Sequence, residues 1–243
     1  MTIHKKLPRD AAKPAAHYVK LAGLYRKEID AAIKLNAPAV LRSIADTHLR
    51  VARALYSSGA AAADCLAQLH GAGDFFTRDL LASQTTPIAG VPNIESYIEN
   101  FSAATLAGNL APCLEAFKRA RIVDFSLWQR SLLSLVTGAL VGRSERPETF
   151  DLRGAPQEWV PGFSDMVRAA CKGNADAFAS ALNAFLKEQW GPSADRVAKA
   201  DLATRPSQYI GTWAFHTAAL CKVWRYVPVL SKKAKQYVPI DLA

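Results

Sequence analysis

Ala31-Ala32-Ile33-Lys34-Leu35-Asn36-Ala37-Pro38 is the stretch whose reading decides the fold. Before it, Tyr18, Leu21, Leu24, Tyr25, Ile29, Ala32 and Ile33 recur at helical spacing along one stripe, in a run opened by Lys13-Pro14. After it, Val40, Leu41, Ile44, Leu49, Ala52 and Leu55 repeat the pattern as far as Ser57, and Gly59 stops it. Small alanines at the junction let two antiparallel helices approach closely. Asn36 can cap the second helix, and Pro38 suits a first helical turn. These eight residues therefore predict an αα-hairpin.

The same design recurs at Ala103-Ala104…Asn109…Pro112 and at Ala169-Ala170…Asn174-Ala175-Asp176. The spacing is unequal, so the recurrence reflects reused turn chemistry rather than a fixed-period repeat. A third helix is expected from Ala60 towards Leu81, loosened around Gly71 and Gly73, followed by a loop from Thr85 to Asn93. Phe125 to Leu140 lacks a wide polar face and predicts a central helix. The longest irregular stretch is 142–162, a candidate contact loop carrying Arg143, Arg146 and Trp159. A third hairpin joins Met166–Lys172 to Asn174–Trp190. Gly191-Pro192 breaks it, and a short helix over Ser193–Leu202 follows. Arg205-Pro206-Ser207 then punctuates a closing helix that begins at Tyr209, and an extended tail holding Tyr237 and Val238 is expected to dock on the body.

The fold class that follows is all-α: antiparallel helical hairpins stacked into a compact array or bundle of about nine to eleven helices, with the C-terminal tail docked. The 243 residues are expected to form a single helical domain, divisible into an N-terminal lobe of hairpins (1–86) and a C-terminal helical region (93–243).

Half the residues are hydrophobic, which excludes a disordered chain, and no apolar run is long enough to predict a membrane span. The basic residues near the N-terminus have no apolar stretch behind them, so no secretory signal is expected. Cys65, Cys113, Cys171 and Cys221 stand far apart in apolar contexts, predicting buried free thiols and a cytoplasmic location. The net charge of +9 is concentrated at the ends. Residues 1–27 hold seven Lys/Arg against Asp10, and residues 202–240 hold six Lys/Arg and no acid.

The sequence contains no phosphate-binding glycine loop, no zinc-protease helix motif and no nucleophile elbow. The five histidines, including His216, are scattered singly, and His216 reads as a packed or half-exposed structural residue rather than a catalytic one. Asp74 and Asp79, around Phe75-Phe76, read as a helix start. Glu95 and Glu99 stand one helical turn apart and, without an accompanying Glu-x-x-His, read as a solvated face rather than a metal site. No catalytic residue, metal or cofactor is expected. The strongest binding signal interleaves aromatics with cations near the C-terminus: Lys222, Trp224, Arg225, Tyr226, Lys232, Lys233 and Lys235. Trp, Tyr and Arg dominate binding hot spots, and the surrounding charge would steer an acidic partner. Inward packing of Trp224 and Tyr226 with solvated lysines is the plainer alternative.

Two segments carry a family resemblance. Gly211-x-Trp213-Ala214-Phe215-x-x-Ala218-Ala219-Leu220, followed by Tyr237-x-Pro239-x-Asp241-Leu242, resembles the C-terminal signature of PoNi-type bacterial immunity proteins, the helical partners of polymorphic and type VI secretion toxins. Where that pattern has an acidic residue after the Phe, this chain has His216. The resemblance implies a protein that is not an enzyme and that neutralises a cognate toxin, a nuclease effector, by stoichiometric occlusion of its active site. The expected partner is a toxin with an acidic surface, without membrane or nucleic acid. The alternative from charge and helicity is a basic nucleic-acid-binding array such as a HEAT-like DNA glycosylase, although no single segment sets up the carboxylate in an aromatic cleft that such enzymes need.

Overall fold

The alanine-rich turn closes a helical hairpin as predicted, but by different chemistry. In the computed structural model, which describes residues 9–85, 93–120, 125–143, 151–157, 160–205, 207–226 and 228–243, helix α1 spans Ala15–Leu35 and α2 spans Leu41–Ser58, with a 3-10 turn at Pro38–Val40 between them. Asn36 does not cap α2. It ends α1 in left-handed backbone (φ 46°), which asparagine tolerates better than most side chains, and its N–H donates to the Ile33 carbonyl. Asn109 is not a cap either. It stands between α4 (Ile94–Ala107) and α5 (Leu110–Arg119) and reaches across to α3 (Ala62–Ala82), donating to the His70 carbonyl at 3.1 Å and to Asp74 at 3.0 Å. Only Asn174 caps as expected. Its side chain accepts from the Ala177 N–H at 2.9 Å where α8 (Ala175–Phe185) follows α7 (Val160–Cys171).

Helix α3 runs unbroken through the two glycines expected to loosen it. A Cβ on Gly71 would stand 2.7 Å from the His48 ring of α2, and one on Gly73 would stand 2.7 Å from the Asn109 side chain. The glycines let neighbouring side chains lie against the helix backbone. Asp74 and Asp79 consequently sit inside α3 rather than at a helix start, and Asp79 accepts from Arg42 at 2.9 and 2.5 Å. The Arg42 guanidinium also lies over the Phe76 and Tyr97 rings, which belong to an edge-to-face aromatic layer with Phe101, Phe117 and Phe125.

Helix α6 (Leu127–Leu140) opens with a capping box between Ser126 and Gln129. It buries Leu132, Leu133, Leu135, Val136 and Leu140 against α4, α7 and α10 (Phe215–Trp224), the central position its composition predicts. Gly191-Pro192 does not break the chain's helical path. A π-helical turn, Leu186–Trp190, carries α8 directly into α9 (Gly191–Thr204). The widened turn accommodates the proline, whose ring would otherwise meet the carbonyl one turn back. A Cβ on Gly191 would lie 2.6 Å from the Leu186 carbonyl oxygen and 3.0 Å from the Tyr237 ring, so this glycine is also the seat of the tail.

The run from Tyr209 to Ala214, read as a helix start, is an irregular strap, and α10 begins only at Phe215. Gly211 takes φ 88° there, and a Cβ on it would collide with the Ser57 hydroxyl. The strap is fixed instead by hydrogen bonds: Trp213 Nε1 donates to Ser57 at 2.8 Å, Ser57 donates to the Ile210 carbonyl at 2.9 Å, and Ala214 N–H donates to the Tyr237 carbonyl at 2.8 Å. Past α11 (Lys232–Lys235), the tail docks as expected, with Tyr237, Val238 and Leu242 buried and the Tyr237 hydroxyl donating to Asp195 at 2.7 Å. Asp241 accepts from Tyr56 and, at 2.7 Å, from Arg9, whose guanidinium lies over the Tyr56 ring and donates to the Ala60 carbonyl beyond the end of α2.

The structure is thus an all-α array, with no strand among the described residues and a contiguous buried cluster reaching from Leu21 to Leu242. None of the described helices is long and apolar enough to cross a membrane. All four cysteines are buried and none forms a disulfide, and burial pushes the thiols of Cys65, Cys113 and Cys221 up to about 12.

Candidate functional site

The cation–aromatic cluster separates into two kinds of residue. Trp224 and Tyr226, at the end of α10, are half-buried and face the protein. Trp224 Nε1 donates to the Ala139 carbonyl at 3.1 Å, its ring stacks on Tyr226, and Tyr226 lies 5.2 Å from Phe178. Lys222 donates to the Leu106 carbonyl at 2.7 Å, where the C-terminal turn of α4 favours a cation. These three residues hold elements together.

The remaining cations point outward. Arg225 ends α10 in left-handed backbone (φ 53°) with its side chain exposed, and Lys232, Lys235 and Arg143 are exposed as well. None of the four has an ion pair among the described residues. Asn183 of α8 positions the approach to α11 by accepting from Ser231 N–H at 2.9 Å and donating to the Val229 carbonyl at 3.0 Å. The Val229 side chain is left 88% exposed. Lys233 lies within α11, but its side chain, like Arg146 and Trp159, falls outside the described residues.

A second site was not legible in the sequence. A cleft of about 330 Å³ opens between α4 and α9, with the strap 209–213 along one side. Arg53 of α2 and Glu95, Ile98 and Glu99 of α4 form one wall, and Val197 and Asp201 of α9 lie on another. The deepest lining is aromatic: Phe163 from α7, Phe185 and Trp190 from the α8–α9 junction, and His216 from the first turn of α10. The His216 ring sits among the other three, with centroids 4.9 Å from Trp190, 5.2 Å from Phe163 and 5.8 Å from Phe185. Burial, reinforced by the nearby Arg53 charge, pushes its pKa down to about 3, so it is neutral at physiological pH.

The polar groups of the cleft are unevenly satisfied. Arg53 pairs with Glu99, and Asp201 pairs with Arg205 at 3.1 Å. Glu95, one turn before Glu99, has no ion-pair partner among the described residues. Partial burial, and then the neighbouring Glu99 charge, raise its carboxyl above the usual range. His216 Nε2, Gln189 Oε1 and Trp190 Nε1 are buried without hydrogen-bond partners. The arrangement suits a guest with an apolar body, hydrogen-bonding edges and positive charge.

In the sequence Glu95 and Glu99 read as a solvated face and His216 as a packed or half-exposed position, each taken singly. The packed reading of His216 agrees with its burial. The missing information was the π-turn, which swings Gln189 and Trp190 over α7. Gln189 lies so close that a Cβ on Gly162 would collide with it. Among the described residues, no group of three or more His, Cys, Asp or Glu could hold a metal ion. No family model, curated protein or solved structure matches the chain.

Proposed function

We propose that this chain is a helical immunity-type protein of the cytoplasm that neutralises a cognate bacterial toxin, a nuclease effector, by one-to-one binding that covers the toxin's active site. The observation that carries the reading is a set of exposed cations, Arg143, Arg225, Lys232 and Lys235, that have no ion pair among the described residues, together with the exposed Val229 that precedes α11 in the chain. Exposed charges of one sign without partners do little for the fold, but they steer an oppositely charged surface into contact. A nuclease that gathers carboxylates around a divalent metal presents such a surface. The two signature segments also support the reading, because they are bonded to each other through Ala214 and Tyr237 and so behave as one structural unit.

The test is co-expression with the product of a neighbouring reading frame that ends in a toxin-like domain. A one-to-one complex with suppressed toxin activity is expected. The triple variant Arg225→Glu/Lys232→Glu/Lys235→Glu should associate about tenfold more slowly at low ionic strength, with a flatter salt dependence. An unchanged rate removes these cations from the interface, and the absence of any complex with such a neighbour overturns the reading.

A second reading, a nucleic-acid-binding array of the DNA-glycosylase kind, draws on one observation: carboxylates do stand in an aromatic-lined cleft. The cleft, however, brings three carboxylates against one guanidinium, a balance that repels a phosphate backbone. A gel-shift titration across salt separates the readings, because phosphate contacts produce a steep logarithmic loss of affinity.

A further inference from the structure

Buried polar atoms in folded proteins nearly always find partners, and each exception calls for an explanation. Here three exceptions belong to residues lining one cleft: His216 Nε2, Gln189 Oε1 and Trp190 Nε1. His216 is only 5% exposed, so solvent outside the protein does not reach it freely. The imidazole is neutral and Gln189 offers a carbonyl oxygen, so the deep end of the cleft can accept N–H donors from a guest. The rings of Phe163, Trp190 and Trp213 supply apolar and π surface around them.

Charge decides the character of the guest. Glu99 is committed to Arg53 and Asp201 to Arg205, whereas Glu95 faces the same space without a cationic partner among the described residues. Two carboxylates one helical turn apart repel each other unless a positive charge lies between or beside them. Partial burial, and after it that repulsion, raise the proton affinity of Glu95. A cation held near both carboxylates would relieve it, and its apolar body would gain from the aromatic wall. The first turn of a helix favours an acid in any case, which explains Glu95 alone but not its company with Glu99 and Asp201.

We propose that the cleft binds a small planar organic cation, amidinium- or guanidinium-like, whose charged end lies at Glu95 and Glu99. Its ring lies among the aromatic side chains, and its far N–H groups donate towards Gln189 and His216. His216 in the cleft and the exposed Arg225 stand near opposite ends of α10, about 14 Å apart at the usual helical rise.

The experiment uses the chain alone, so its result does not depend on any toxin. Three probes of nearly one shape differ in the charge and donor–acceptor character of one end and share the ring and its amino group: 4-aminobenzamidine (cation), 4-aminobenzamide (neutral) and 4-aminobenzoate (anion). Binding is followed by the indole N–H resonances of ¹⁵N-labelled protein, with Trp190 assigned from a Trp190→Phe variant. Saturable movement of the Trp190 resonance with the cation, and little or none with the anion, is expected. Glu95→Gln, at an exposed position, should leave the melting temperature unchanged and weaken the cation about tenfold. Equal responses to the three probes, no saturable response to the cation at millimolar concentration, or unaltered affinity in Glu95→Gln would each overturn the proposal.

Discussion

Acidification should destabilise this protein through one imidazole. His216 is buried among Phe163, Phe185 and Trp190, and burial holds its pKa at about 3, against about 6.5 in an unfolded chain. Between those values the unfolded state binds a proton that the native state refuses. Stability is therefore complete above about pH 6.5 and declines as the pH falls towards 3. The slope across that window approaches about 1.4 kcal/mol per pH unit, so taking the protein from pH 7 to pH 5 removes about 2 kcal/mol through this residue alone. The control is His216→Gln, which removes the titration while keeping a polar side chain of similar reach. Urea unfolding of both proteins at pH 7 and pH 5 gives the two losses, and the wild-type loss should exceed that of the variant by about 2 kcal/mol. Comparing losses cancels whatever the substitution costs at neutral pH and whatever the carboxylates contribute. Equal losses in the two proteins would refute the reasoning, because they would mean that water or a partner reaches the ring and lets it protonate in place.

Gly211→Ala forces a side chain into left-handed backbone and against the Ser57 hydroxyl, and should destabilise by about 2 kcal/mol or more, read by chemical denaturation. Cys65, Cys113 and Cys221, buried with thiols pushed up to about 12, should resist a thiol reagent at pH 8 in the native protein and react at once in denaturant. Trp224→Ala should lower stability by about 3 kcal/mol in urea unfolding, since its indole bonds to Ala139 and stacks on Tyr226, and, under the proposed function, should leave the rate of toxin association in surface plasmon resonance unchanged.

The helical class was legible because amphipathic runs and hairpin punctuation act locally. The stripe from Tyr18 to Ile33 and the apolar run from Leu132 to Leu140 both became the helices they predict. The errors cluster where a residue answers to a distant neighbour. Gly71 and Gly73 looked like points of loosening because the His48 and Asn109 side chains that lie against them come from distant parts of the chain. Asn36 and Asn109 have the composition of caps, but one is taken by a left-handed turn and the other by α3. Gly191-Pro192 looked like a terminator because local rules do not foresee a π-turn that absorbs a proline, and that turn builds the cleft. The outward cations could be named from sequence, and the inward packing of Trp224 and Tyr226, the plainer of the two sequence readings, is the one found: Trp224 bonds to Ala139 of α6 and Tyr226 lies against Phe178 of α8.

The contact of Arg9 with Asp241 and Tyr56 spans 232 positions of chain and joins the two flanks of the described protein over the end of α2. A clasp between such remote partners cannot close until almost everything between them is in place, because the intervening loop must first lose its freedom. It therefore belongs to the last steps of assembly and should be absent from the folding barrier. Interactions of that kind leave the speed of folding alone and slow its reversal. The clasp acts as a latch on lifetime: it contributes modestly to how much protein is folded and more to how long each molecule stays folded.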